Sequence, residues 1–361
     1  MTSRGFVQCL GWFALLSVSK AQSDPNIPFA GWANVTEFPA EQKDNVTALL
    51  NEAASLSAGG NIYPFFESSC IQQQVYPNTF SIAMTVGFVE PFAAFDNLYY
   101  VGQGAVAAWA YNTSEGVVLI DALDNAAEAE GVIVPGLEAV GLSGSDIKHV
   151  IITHEHFDHY GGAKYLQDTF GARIYGSEPF WDAMAALSPN ETVTPPARNE
   201  TLTDGQDLVV GGVTFHTILT PGHTLGTLSL IFPVTDRDEK HVVGFMGGTG
   251  DPSDTAMREM KVASIAKYVE VASERGVDTL LSNHNIADHA LYKADLLDHR
   301  DTAANPYVIG TDAYINYLKT NALCTQVLSA REGKDMASGI QGEAALRRRS
   351  LSLSTQQRCN H

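Results

Sequence analysis

The chain is poor in cysteine, in basic residues and in long apolar runs. Four cysteines in 361 residues, Cys9, Cys70, Cys324 and Cys359, are too few and too scattered for a disulfide-stapled scaffold or a cysteine zinc site. Lysine and arginine number 22 against 41 aspartates and glutamates, a formal net charge of −19, so phosphate backbones and anionic lipid faces would be repelled. We therefore expect no nucleic-acid and no membrane partner, and a small-molecule substrate instead. Beyond residue 21 no apolar run approaches the ~20 residues that span a bilayer. Heptads and internal repeats are missing, and so is a Gly-x-Ser-x-Gly nucleophile turn. The run Gly141-Leu142-Ser143-Gly144-Ser145 is one residue short of that motif and has no strand ahead of it.

At the N-terminus Arg4 precedes an apolar stretch from Phe6 to Val18 and the small-residue segment Ser19-Lys20-Ala21. This pattern predicts a secretory signal peptide over residues 1–21, the apolar run being too short for a spanning anchor. Five acceptor sequons begin at Asn34, Asn45, Asn112, Asn190 and Asn199, and together they predict a secreted, extracellular glycoprotein with those segments on its surface. Removal of Cys9 with the signal leaves three cysteines, hence one disulfide and one free thiol, with the pairing undetermined. The basic run Arg347-Arg348-Arg349 reads as a solvated tail.

Punctuation by glycine and proline divides the remainder. Residues 22–84 read as an N-terminal extension, with a helix near Ala40 to Ser57 and a break at Gly59-Gly60-Asn61. Residues 85–330 read as one α/β domain and 331–361 as a polar C-terminal tail. Within the domain, short strands are expected at Leu98–Val101, Ala105–Tyr111 and Gly116–Asp121, then a helix at about Ala126–Val140 and a buried strand His149–Thr153. A helix at Gly162–Thr169 and a strand at Arg173–Tyr175 follow. The proline-rich stretch Glu178–Glu200 reads as an exposed loop with some helix inside. Strands return at Asp207–Val210, Val213–Leu219, Leu228–Phe232 and Val242–Phe245, with a Gly211-Gly212 turn between the first two. The last pieces are a helix at Ser253–Arg275, a strand at Thr279–Ser282, and helical segments Ile286–His299 and Ala313–Lys319.

The chemistry concentrates in Thr153-His154-Glu155-His156-Phe157-Asp158-His159-Tyr160-Gly161-Gly162, three histidines and an aspartate within six positions at the end of a buried strand. Alternate residues of an extended segment point the same way, so His154 and His156 can grip one ion while Asp158 and His159 turn toward a second. Neutral imidazole is the commonest zinc ligand. His223, in Thr220-Pro221-Gly222-His223-Thr224, and His284, in Ser282-Asn283-His284, share the same position just past a strand and are expected to join them, with His289 the substitute for His284. Tyr160 and Trp181 read as packing residues beside the site.

These motifs, with Asp96-Asn97-Leu98-Tyr99-Tyr100-Val101-Gly102 and Val117-Val118-Leu119-Ile120-Asp121, resemble the metallo-β-lactamase superfamily, and most of all the third subclass of metallo-β-lactamases. The similarity covers roughly Phe95 to His289. It implies a four-layer αβ/βα sandwich and two zinc ions (Zn2+) per chain, the first held by His154, His156 and His223, the second by Asp158, His159 and His284. Many relatives add an aspartate bridging both metals. This chain has Gly247-Gly248-Thr249-Gly250 there, with Thr249 at the bridging position and Asp251 close enough to serve instead.

A pair of zinc ions ~3.5 to 4 Å apart would lower the pKa of a shared water toward ~7. In that picture Asp158 is also catalytic, orienting the nucleophile toward a carbonyl carbon. The expected function is therefore a secreted zinc hydrolase acting on a small cyclic amide or ester, β-lactam- or lactone-like. The alternatives are a non-catalytic metal-binding protein of the same fold, and a thioester hydrolase or iron-dependent relative. Loop shape, which the sequence does not spell out, selects among substrates.

Overall fold

Side chains alternate along the central strands, and the alternation sorts them between two compartments. Val118 and Ile120 point into one buried cluster and Val117 and Leu119 into another, as a strand buried on both faces requires. The computed structural model describes residues 35–336, apart from 59, 60, 85, 86, 189, 190 and 302. The expected signal peptide, the sequons at Asn34 and Asn190, Cys359, the arginine run and the tail from residue 337 lie outside the described residues.

The first sheet joins seven strands in sequence order: β1 (Phe92–Phe95), β2 (Leu98–Tyr100), β3 (Trp109–Thr113), β4 (Gly116–Ile120), β5 (Ile147–Ile151), β6 (Arg173–Ser177) and β7 (Glu200–Leu202). The β1–β4 strands pair antiparallel and β4 through β7 parallel. The second sheet runs β12 (Thr279–Ser282), β11 (Glu239–Met246), β10 (Leu228–Asp236), β9 (Val213–Leu219) and β8 (Asp207–Val210). Its β11–β12 pair is parallel and the rest antiparallel.

The inner faces meet through Trp109, Tyr111, Ile120, Phe215, Phe232 and Phe245. Outside the first sheet lie the helical segments at 126–139, Ala163–Phe170 and Glu178–Ala186, packed through Ile133, Leu137, Leu166 and Phe180. Outside the second lie the helices Thr255–Glu274 and Thr311–Arg331, packed through Ile265, Tyr268, Tyr314 and Tyr317. The result is helices, sheet, sheet, helices, the metallo-β-lactamase fold.

Two of the expected helices are completed in the fold. The stretch after Glu178 begins with a nine-residue helix, because Ser177 caps it by accepting the Phe180 N–H and Pro179 occupies the first turn, where a missing N–H costs nothing. That helix buries Phe180, Trp181 and Met184, and the Trp181 Nε1–H donates to the Glu200 carbonyl at 2.9 Å. The last helix runs on from Lys319 to Arg331. Its second half carries Thr320, Asn321, Thr325 and Ser329, polar residues that are nonetheless buried, so periodicity of apolar residues could not reveal it.

What buries that helix is the N-terminal segment. Helix Lys43–Ser57 lies along it, with Ala53 and Phe66 against Leu323, and Cys70 is disulfide-bonded to Cys324 across 254 positions of sequence. The bond pairs two of the three cysteines that the sequence left unassigned. Cross-links that close long loops restrict the unfolded chain strongly, so Cys324→Ser or reduction is expected to lower stability by about 2–4 kcal/mol. Thermal unfolding with and without reductant measures this. An unchanged Tm would show that the helices hold without the bond. Of the remaining sequons, Asn45 and Asn199 are exposed and Asn112 is half-buried in β3. No helix among the described residues is long and apolar enough to cross a membrane.

Candidate metal centre

Parallel and antiparallel strands bring several C-terminal ends to one edge of the sandwich, where loops must turn and polar backbone must find partners. Asp121 follows β4, His154 to His159 follow β5, His223 follows β9 and His284 follows β12. Tertiary packing closes the two sheets there, since Val106 bridges to His284 and the Ala107 N–H donates to the Asn283 carbonyl.

Six side chains converge in two groups. His154 Nε2 lies 3.1 Å from His156 Nδ1, and His223 Nε2 lies 3.2 Å from both. In the second group His159 Nε2 is 3.2 Å from His284 Nε2 and 3.3 Å from Asp158 Oδ2, and His284 Nε2 is 3.6 Å from the same oxygen. Three ring nitrogens in a closed triangle cannot all be joined by hydrogen bonds, because a ring nitrogen carries either one proton or one lone pair. Ligand atoms around a tetrahedral zinc at 2.0–2.1 Å stand about 3.3–3.4 Å apart. The triangle fits a cation, and each group can hold one.

The far side of the rings fixes which nitrogen is bare. His159 Nδ1–H donates to Asp121 Oδ2 at 2.8 Å, His223 Nδ1–H to the Gly250 carbonyl at 3.0 Å, and His154 Nδ1–H to Thr153 Oγ1 at 3.1 Å. His284 Nδ1 reaches the Ala105 carbonyl at 3.3 Å. In each case Nδ1 is the engaged nitrogen and Nε2 is turned inward, the arrangement a metal needs. Burial holds His154 and His223 well below the usual imidazole range, with neighbouring imidazoles adding to it, and puts His284 at about 4. His159 differs: burial opposes its charge, yet Asp121 and Asp158 raise it to about 10. Burial would likewise raise Asp158, but the His159 and His284 imidazoles hold it well below the usual carboxylate range.

Two supports were not singled out from sequence. Asp121 is fully buried and also accepts the Thr153 N–H and hydroxyl, each at 2.8 Å. Its φ of +62° is a conformation that non-glycine residues seldom hold, the kind of strain that collects at functional sites. A carboxylate at the end of the apolar run Val117–Ile120 was the available signal. Glu155 sits between two ligands and turns away, accepting from Thr224 Oγ1 at 2.7 Å and from the Gly226 N–H. It thereby ties the loop of His154 and His156 to the turn that presents His223.

Two sequence alternatives are not realised. Asp251 is ion-paired with Lys261 at 2.7 Å and accepts from Thr325 Oγ1 at 2.6 Å, outside both clusters. The glycines before it have a packing reason, for a Cβ on Gly248 would come within 2.8 Å of the His223 ring. His284, not His289, completes the second group. Tyr160 and Trp181 are both buried and serve packing.

The sequence profile of the metallo-beta-lactamase superfamily matches residues 101–236. A hydroxyacylglutathione hydrolase of Pseudomonas putida is 28% identical over 226 residues, 56% of this chain and 79% of that protein. One from Acidiphilium cryptum is 38% identical over 96 residues, 27% of this chain and 35% of that protein. This chain therefore spans only about a third of some curated relatives. Among solved structures, a subclass B3 metallo-beta-lactamase of Bradyrhizobium japonicum shares 26% identity at a TM-score of 0.56, covering 66% of this chain and 92% of its own. A metallo-beta-lactamase from Legionella gormanii shares 23% at 0.61, covering 70% and 99%. The chain is thus similar to the metallo-β-lactamase superfamily over residues 101–236, and it carries two ligand clusters that could each hold a metal ion. Fold and paired ligand clusters are compatible with a dinuclear metal centre.

Proposed function

We propose that the protein is a secreted, dinuclear zinc hydrolase that cleaves an acyl thioester. One observation carries the substrate class: the curated relatives are hydroxyacylglutathione hydrolases, one of them matched over 79% of its length, and their name describes an acyl group carried on the sulfur of glutathione. This corrects the expectation of a small cyclic amide or ester, because the β-lactamases resemble this chain through the shared fold while the sequence matches point to a thioester. Leaving-group chemistry is compatible with the change. A thiol with a pKa near 8.5 departs as thiolate at about neutral pH, whereas an amide nitrogen must first be protonated.

In this reading His154, His156 and His223 hold one zinc and Asp158, His159 and His284 the other. Bound there, the ions would supply a water that ionises near neutral pH and a Lewis acid for the acyl oxygen. Imidazole-rich ligation without a bridging carboxylate favours zinc. Asp158, kept ionised by His159 and His284, accepts a proton-bearing bond from the attacking water and aims it at the carbonyl carbon. Asp121, through His159, keeps that ligand's bare nitrogen turned inward. The Cys70–Cys324 bond supports an oxidising compartment, in line with secretion.

Elemental analysis of zinc-loaded protein is expected to find close to two zinc per chain. The same preparation should hydrolyse acyl thioesters, those of glutathione and of an uncharged thiol, at least about 100-fold faster in kcat/KM than lactams or lactones. Chelation should abolish turnover. Metal-replete protein inert toward every thioester would overturn the reading.

A further inference from the structure

One buried carboxylate closes the loop that carries His284. Asp288 is 1% exposed and takes the Ser282 N–H on Oδ2 at 2.7 Å and the Ala290 N–H on Oδ1 at 3.0 Å. Ser282 ends β12 and Ala290 begins the helix Ala290–Asp298, so both ends of the segment around His284 hang on a single side chain. The chain between them turns through His289 at φ +55°, a left-handed conformation that a non-glycine residue holds only when its surroundings impose it.

The second half of this device is Lys293, 7% exposed, whose charge acts on Asp288 across the core. Its ammonium makes no hydrogen bond to any described group and lies 5.2 Å from the centre of the Tyr307 ring. The Tyr307 hydroxyl in turn donates to the Ala290 carbonyl at 2.6 Å. Burial pushes Asp288 up and Lys293 down from their ordinary values, since desolvation disfavours both charges. Apolar residues of the same volume would pack such a core without that cost, so two buried charges are better explained by the arrangement they specify than by stability.

We propose that Asp288, supported by Lys293, is a positioning pair that sets the place of the His284 imidazole and thereby the metal affinity of the Asp158–His159–His284 cluster. Neither residue belongs to either ligand cluster. Asp288 acts by fixing the turn from β12, while Asn283 on the same turn donates to Thr153 Oγ1 at 3.0 Å and to the Gly247 carbonyl at 2.8 Å, registering it against the first cluster. The proposal rests on the dinuclear reading above.

Zinc titration of the chelator-stripped full chain tests it, using wild type, H284A, D288N, K293M and the double variant H284A/D288N. D288N is expected to weaken the same binding step that H284A weakens, by about 10–100-fold, and to leave the other step unchanged. The double variant should bind no more weakly than H284A alone, because with no imidazole at 284 there is nothing left to position. K293M should show a smaller loss at the same step, and it carries the test should D288N fail to fold. A purely structural role predicts something else: lower Tm with both affinities intact, equal loss at both steps, or full additivity with H284A, and any of these overturns the proposal. Wild type that binds fewer than two zinc ions would overturn the dinuclear reading first, and a second step insensitive to both D288N and K293M would overturn this inference alone.

Discussion

A chain with alanine at both His154 and His156 is expected to bind no more than one zinc and to lose at least about 10³-fold in kcat/KM for a thioester, while remaining folded. Their Nε2 and Nδ1 atoms, 3.1 Å apart, form one side of the nitrogen triangle. Removing both leaves His223 Nε2 as a single donor, which cannot retain an ion at micromolar free zinc. Asp158, His159 and His284 do not depend on those rings for their own hydrogen bonds, so the second group should still fill. Elemental analysis with a thioester assay measures both effects. Hydrolysis at the wild-type rate would mean that the metals lie elsewhere.

The other large effect is expected at Asp121. Alanine there would strand three buried donors, the Thr153 N–H, the Thr153 hydroxyl and His159 Nδ1–H, each bonded at 2.8 Å. An unsatisfied buried polar group costs about 1–3 kcal/mol, so the metal-free protein should lose about 3–5 kcal/mol of unfolding free energy. Zinc affinity should fall about 10–100-fold with the loss of the carboxylate behind His159.

The deficit carries a pH signature. Against the pull of burial, Asp121 and Asp158 raise His159 to about 10 in the folded state, above its ordinary 6.5. A raised histidine stabilises fully below its unfolded pKa and loses that contribution as pH rises through the folded one. The gap between wild type and Asp121→Ala, both metal-free, is therefore widest below about pH 6.5 and narrows toward pH 10. Denaturant titrations at the two ends of that window measure it. A gap independent of pH would show that Asp121 does not hold the His159 proton.

Much of the sandwich was readable because its strands are short apolar runs bounded by glycine, and β8, β9 and β12 fall where that pattern places them. The Ala105–Ala108 run was read as strand, yet β3 begins only at Trp109, since these small buried residues pack in either conformation. The Thr311–Arg331 helix was half missed, its second half being buried polar against the N-terminal helices. Asp288 and Lys293 are not singled out by the sequence, because nothing local marks them as buried.

The residues that can hold metal were determined by sequence alone: a cluster of His154, His156, Asp158 and His159 after an apolar strand is dense enough to declare its chemistry without a fold. Which nitrogen of each ring is bare, which carboxylate supports a ligand instead of binding, and that Asp251 pairs with Lys261 were decided only by tertiary structure. The physical reason is range. Ligand type is a property of a side chain, whereas tautomer, burial and pairing depend on partners such as Asp121, Gly250 and Ala105, which packing alone brings within hydrogen-bond distance.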